Sequence, residues 1–164
     1  MCLNRQYRSD KRRREIEKLT FPLQAWKVMR INRETKQILR GLYGVTKKYS
    51  YKRGTNFDSV STFIWNGAGK NYESGYHCFL DEKDAVRLRE NVAVRWGFNT
   101  QDAYSQIVVV PVTIKQKKSI KVMGEDCTGT IGEIRNIHAR VVVTKEFHLT
   151  KYRYKKIVDK EQWE

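Results

Sequence analysis

The feature that most constrains this chain is a change of hydrophobic period at residue 81. Gly75 to Leu80 (GYHCFL) reads as a buried strand, and from Asp81 onward the apolar residues Ala85, Leu88 and Val92 recur at helical spacing. Asp81 can cap the helix, Glu82 and Asp84 fill its first turn, and Arg87 and Arg89 follow, an order that suits the helix dipole. A helix with one apolar face, entered directly from a strand, needs a sheet to cover, and that combination predicts an α+β fold.

The remaining segments supply the sheet. Phe21 to Ile31 (FPLQAWKVMRI), the polar turn Asn32-Arg33-Glu34-Thr35, and the apolar stretch from Lys36 predict a β-hairpin. Its two-residue period puts Trp26, Val28 and Arg30 on one face and Lys27, Met29 and Ile31 on the other. Thr46 to Ser61 is polar, basic and contains Gly54, so it reads as a loop, and Phe63 to Trp65 reads as a short strand before the turn Asn66 to Gly69. Ser105 to Ile114 is the most apolar run, with Pro111 predicting an edge or a bulge, and Ser119 to Met123 and Ile137 to Leu149 read as two further strands. Arg8 to Leu19 reads as a helix capped by Ser9 or Asp10, with only Ile16 and Leu19 to bury, so it packs by one edge or orders on a partner. The expected fold is α+β: a twisted, mostly antiparallel sheet of about six strands with one central helix and a basic N-terminal helix. The expected organisation is a basic helix or arm over 1–20, a single α+β domain over 21–149 and a basic tail over 150–164.

Charge points to the partner. The 164 residues carry 33 Lys and Arg against 18 Asp and Glu, a formal net charge of +15, well beyond what keeps a small domain in solution. Such a surplus calls for a polyanion. The three cysteines, Cys2, Cys78 and Cys127, form no close pair, and the N-terminus has no apolar leader, which together predict free thiols and a cytoplasmic setting. No apolar run approaches the roughly 18 residues of a membrane span, so no membrane partner is expected.

The positive charge is bunched in four runs: Lys11 to Arg14, with Arg12, Arg13 and Arg14; Lys47 to Arg53; Lys115 to Lys121, with Lys117 and Lys118; and Lys151 to Lys156. Two of them interleave tyrosine with base. One reads Lys47-Lys48-Tyr49-Ser50-Tyr51-Lys52-Arg53 and the other Lys151-Tyr152-Arg153-Tyr154-Lys155-Lys156. In an extended segment the alternation puts both tyrosines on one face, where they can stack on bases while the cations track phosphates. The expected partner is therefore a nucleic acid, or an acidic protein or nucleoprotein surface; no helix-turn-helix, zinc-finger or RNP motif chooses between them.

Catalytic patterns are sparse. His77 and Cys78 are adjacent on a strand and so face opposite ways, and no pair of ligands has zinc spacing. Gly67-Ala68-Gly69-Lys70 is half a phosphate loop without the helix that should follow, and reads as a turn. Tyr76, His77 and His138 are the weak catalytic candidates, with the histidines and nearby lysines as the groups a metal-independent ribonuclease would use. Neither a metal nor a cofactor is expected.

Glu73-Ser74-Gly75-Tyr76-His77-Cys78-Phe79, followed by the helix bearing Ala85, resembles a Gly-x-His-x-Phe…Ala pattern of uncharacterised small phage and bacterial proteins. In that pattern a Trp-Lys-Val strand comes earlier and a Val-rich strand later, places held here by Trp26-Lys27-Val28 and Val108 to Val112. The order of elements is also distantly similar to the ADP-ribosyltransferase core, a resemblance that implies a place near the nicotinamide ring for Tyr76 or His77. This chain departs from that core in carrying Trp26-Lys27 where the transferases carry His-Gly or Arg, and Asn136-Ile137-His138 where they carry a glutamate. The +15 charge, the interleaved tyrosines and the phage-like segment together point to a phage-type, non-enzymatic binding protein that grips RNA, DNA or a nucleoprotein, with inhibition of a host defence complex as a conceivable role. The alternatives are a diverged transferase or ribonuclease, and a structural component of a virion.

Overall fold

A computed structural model describes residue 3 and residues 5–32, 37–39, 50–57, 63–65, 71–73, 75–96, 105–127 and 138–150. In chain order the elements begin with β1 (Arg5–Gln6), α1 (Ser9–Glu17), β2 (Leu23–Asn32), β3 (Gln37–Leu39), β4 (Ser50–Tyr51) and β5 (Gly54–Phe57). Next come β6 (Phe63–Trp65), β7 (Asn71–Glu73), β8 (Tyr76–Phe79) and α2 (Glu82–Trp96). The last are β9 (Ser105–Ile114), a 3-10 turn (Lys117–Ser119), β10 (Ile120–Cys127), β11 (His138–Thr144) and β12 (Glu146–Leu149). The fold is α+β, with a mostly antiparallel sheet and two helices, the N-terminal one basic.

The centre of the sheet is the pair β2 and β9, registered from Leu23 opposite Ile114 to Asn32 opposite Ser105. The ladder passes through Pro111, opposite Trp26, without a change of register, and β9 lies between β2 and β12, so neither the expected bulge nor the expected edge is found. On its other flank β9 meets β12 at one pair, Thr113 with His148, and a proline is tolerated beside such a sparse ladder. The strand order is β1-β10-β11-β8-β2-β9-β12-β5, with β3 and β4 branching from β2 and with β6 and β7 forming a separate pair. The hairpin expected after Phe21 is present as β2 and β3. The sheet has more strands than the expected six because β1, β4 and β5, two to four residues each, extend it, and because the strand expected from Ile137 to Leu149 divides in two.

The stretch read as one strand from Ile137 to Leu149 divides at Lys145. β11 pairs with β8 and β10, and β12 pairs with β5 and β9, so the two halves of one bent strand lie at separate places in the sheet. The sheet must curl for β8, β2 and β9 to bridge between them. Local hydrogen bonds hold the bend: the Lys145 amide donates to the Ser119 carbonyl at 2.9 Å, and the Ser119 hydroxyl donates to the Glu146 carboxylate at 2.7 Å. The Thr144 hydroxyl lies 2.8 Å from the Glu146 carbonyl, a side-chain contact that competes with continuation of the ladder.

Each face of the curled sheet has its own core. Ala25, Met29 and Ile31 of β2 join Val108, Val110, Val112, Val142 and Phe147 on one face. Val28, Phe79, Ile107, Val141 and Val143 line the other, beneath Ala85 and Leu88 of α2. The two-residue alternation read for β2 thus separates the two cores. The Asp81 carboxylate accepts the Lys83 amide at 2.9 Å, so α2 is capped as its sequence predicts. For α1 the expectation differs: Arg8, not Ser9 or Asp10, is the N-cap, in extended conformation and without a side-chain cap bond. Ile16 and Leu19 pack against the first core, so α1 docks by one edge.

The segment read as a loop from Thr46 to Ser61 contains β4 and β5. Its polar composition conceals a strand because β5 is an edge, and its buried member is Asn56. That amide imitates backbone, accepting the Lys52 N–H at 2.9 Å and donating to the Lys52 carbonyl at 2.8 Å, while Gly54 takes φ 86°. Among the described residues, no helix is long and apolar enough to cross a membrane.

Candidate polyanion interface and buried polar cluster

The helix α1 lies along β10, and the Arg12 guanidinium donates to the Lys121 carbonyl at 3.5 Å across a sequence separation of 109. This contact joins two of the basic runs, Lys11 to Arg14 and Lys115 to Lys121, on one flank. Some of the charge is neutralised there. Glu125 lies 3.8 Å from Lys11, 4.0 Å from Arg5 and 3.7 Å from His138, and accepts the Tyr7 hydroxyl at 2.9 Å. Burial, followed by that hydrogen bond, pushes the Tyr7 phenol up to about 12. Arg13, Arg14, Lys117, Lys118 and Lys145 are exposed and have no acidic partner among the described residues.

Lys52 and Arg53 are also exposed, at the entry to β5. Tyr51, expected as a base-stacking platform, is instead a core residue, 4% exposed. Its ring meets Phe147 at 5.2 Å and Tyr76 at 5.8 Å, both edge-on, so no face is left for a base. The alternation that would aim Tyr51 outward is cut short because β4 is two residues long and its partner, β3, carries it onto the sheet. Lys47, Lys48 and Tyr49, and Lys151, Tyr152, Arg153, Tyr154, Lys155 and Lys156, lie outside the described residues.

The catalytic candidates are divided between unlike environments. His77 is buried, and its Nε2 is 2.8 Å from the Tyr72 hydroxyl, whose oxygen accepts the Leu3 amide at 3.0 Å. Which of the two groups donates in the Tyr72 to His77 bond depends on the imidazole tautomer. Burial, then the nearby Lys27 charge, holds His77 down at about 3. Cys78 points into the other core, as its neighbouring position requires, and burial pushes its thiol up to about 11. Tyr76 is buried too, and its hydroxyl donates to the Phe57 carbonyl at 2.7 Å. His138 is exposed beside Glu125. His77 is opposite Val143 of β11, so His138 is removed from it by five residues of strand, about 17 Å. A ribonuclease pair of His77 and His138 is therefore not assembled.

Lys27, which its sequence pattern placed only by face, is 8% exposed. Its ammonium donates to the His77 carbonyl and lies 5.5–5.9 Å from the ring centroids of Tyr51, Tyr76 and Phe147. Phe57, which no sequence pattern singled out, is 57% exposed on β5. Alternation outward from the buried Asn56 would have found it, had the segment been read as a strand. Among the described residues, no group of three His, Cys, Asp or Glu side chains could hold a metal ion. No protein-family model, no curated protein and no solved structure matches the chain.

Proposed function

We propose that this protein is a non-enzymatic nucleic-acid-binding protein that grips the phosphate backbone with α1 and the 3-10 turn before β10. The observation that carries this reading is the Arg12 to Lys121 contact, which unites two basic runs on one flank. The exposed cations Arg13, Arg14, Lys117 and Lys118, unpaired with acid among the described residues, supply the phosphate contacts. The separation of His77 from His138, and the burial of His77 as a neutral imidazole, favour binding over turnover.

The test is fluorescence anisotropy with labelled RNA and DNA over a salt series from about 50 to 200 mM. Binding to nucleic acid releases counterions, so the logarithm of affinity should fall linearly with the logarithm of salt, by about 0.9 per phosphate contacted on duplex DNA. Affinity indifferent to salt, or no binding to any polyanion, overturns the proposal. If an acidic protein co-purifies while nucleic acid fails to bind, the partner is protein and this reading is wrong.

A further inference from the structure

We infer that the outer face of β5, β12 and β9 is a platform for single-stranded nucleic acid, on which a base stacks against Phe57. The inference rests on the function proposed above and names the form of nucleic acid that the same basic surface takes. Strand register defines the face. Phe57 lies opposite Glu146, Thr55 opposite His148, and His148 opposite Thr113. Directly opposed residues of an antiparallel pair share a face, and the alternating neighbours Asn56, Phe147, Leu149, Val112 and Ile114 are all buried. Phe57, Thr55, His148 and Thr113 therefore point outward together. Of the three platform strands only β9 takes principal helix contacts, from α2, which also packs on β2 and β8, while α1 packs on β10. On β9 the face that α2 covers carries Ile107, at the opposite end of the strand from Thr113.

Phe57 is the one exposed large hydrophobic side chain among the described residues. Cations stand at the ends of the neighbouring strands, and one acid, Glu146, lies directly opposite. Lys52 and Arg53, both exposed, stand immediately before β5, and the exposed Lys115 directly follows β9, two residues beyond Thr113. The 3-10 turn with Lys117 and Lys118 follows at once, so the aromatic platform adjoins the basic flank already described. The acid on this face, Glu146, is committed to the Ser119 hydroxyl at 2.7 Å. His148 is fixed by a 3.1 Å contact between its Nδ1 and the Thr55 hydroxyl, and burial and the Lys115 charge hold it toward the neutral form.

An exposed aromatic ring on a polar sheet face, with cations at the ends of its strands, is complementary to an unpaired base with its flanking phosphates. A duplex offers the cations its backbone but keeps its base faces stacked internally. The contribution of Phe57 is thus specific to single strands, while the cations serve any polyanion.

The experiment compares oligo(U), oligo(dT), a blunt duplex and heparin as ligands for the full chain and for Phe57→Ala and Phe57→Trp. Because Phe57 is exposed, both variants should melt with the parent. The expected result is a loss of about 5- to 100-fold in single-strand affinity for Phe57→Ala, recovery in Phe57→Trp, and unchanged affinity for duplex and heparin. Oligo(U) and oligo(dT) report the same stacking, and a preference between them assigns the strand as RNA or DNA. Single-strand affinity unaffected by Phe57→Ala, or an equal loss toward heparin, overturns the inference while leaving the proposed function in place. Failure of the parent protein to bind any of the four ligands overturns the function itself.

Discussion

The Lys27 ammonium donates to the carbonyl oxygen of His77 at 3.3 Å, and no carboxylate pairs with it among the described residues. Three aromatic rings, those of Tyr76, Tyr51 and Phe147, surround the charge at 5.5, 5.6 and 5.9 Å. Cation–π attraction and one carbonyl offset part of the cost of removing an ammonium from water, and the four-carbon stem fills space between β2 and its neighbours.

Replacing the charge but keeping the stem should therefore be tolerated. Lys27→Met is expected to match or exceed the parent in stability, whereas Lys27→Ala, which removes the stem, should cost about 2–4 kcal/mol. Urea unfolding of the two variants checks this. A Met variant as unstable as the Ala variant would show that the charge, not the stem, holds the site.

Stability should also depend on pH through His77. Its folded value is about 3, against an ordinary value of 6.5, so between these limits the unfolded chain binds a proton that the folded chain does not. The stabilisation is complete above about pH 6.5 and is lost as pH falls through the window, by at most about 1.4 kcal/mol per pH unit. His148, also held below its ordinary value, acts in the same direction. Unfolding curves between about pH 5 and 7.5 should be flatter for His77→Gln than for the parent. Parallel curves would contradict a buried neutral imidazole.

Lys117→Ala with Lys118→Ala should weaken nucleic-acid binding uniformly across sequences and reduce the salt slope by about one for each phosphate that the pair no longer neutralises. Lys83→Ala, exposed at the start of α2 and outside the four basic runs, is the control. Equal effects at the two sites would show that net charge alone, and not the α1 flank, governs binding.

Gly124 permits β1 to lie on β10. A Cβ placed there would collide with the Arg5 carbonyl, a backbone atom that cannot swing aside. Gly124→Ala should therefore lift β1 away at a cost of about 1–3 kcal/mol. Hydrogen exchange at the Tyr7 amide, which donates to the Met123 carbonyl at 2.9 Å, should accelerate more than exchange in β2 and β9. Unchanged protection at Tyr7 would show that the strands accommodate the methyl group.

Local chemistry made several elements legible in advance. Asp81 and the spacing of Ala85 and Leu88 define α2, the alternation of Lys27, Val28 and Met29 assigns the faces of β2, and the adjacency of His77 and Cys78 sends them to opposite cores. The strands β4 and β5 were not legible, because an edge strand with a buried asparagine has the composition of a loop. Nor was the fate of Tyr51, since nothing near it in sequence announces Phe147 and Tyr76 as its neighbours.

The sequence by itself determined the α+β class, the strand-to-helix unit and the surplus of positive charge, all of which follow from spacing and composition within a few residues. Tertiary structure alone decided which charges act together, because Arg12 meets Lys121 only when α1 docks on β10. It also buried Tyr51 and left Phe57 outside, through the bend at Lys145 and the pairing of β5 with β12. The physical reason is that strand pairing joins residues distant in sequence, and a side chain's face is set by the register of that pairing.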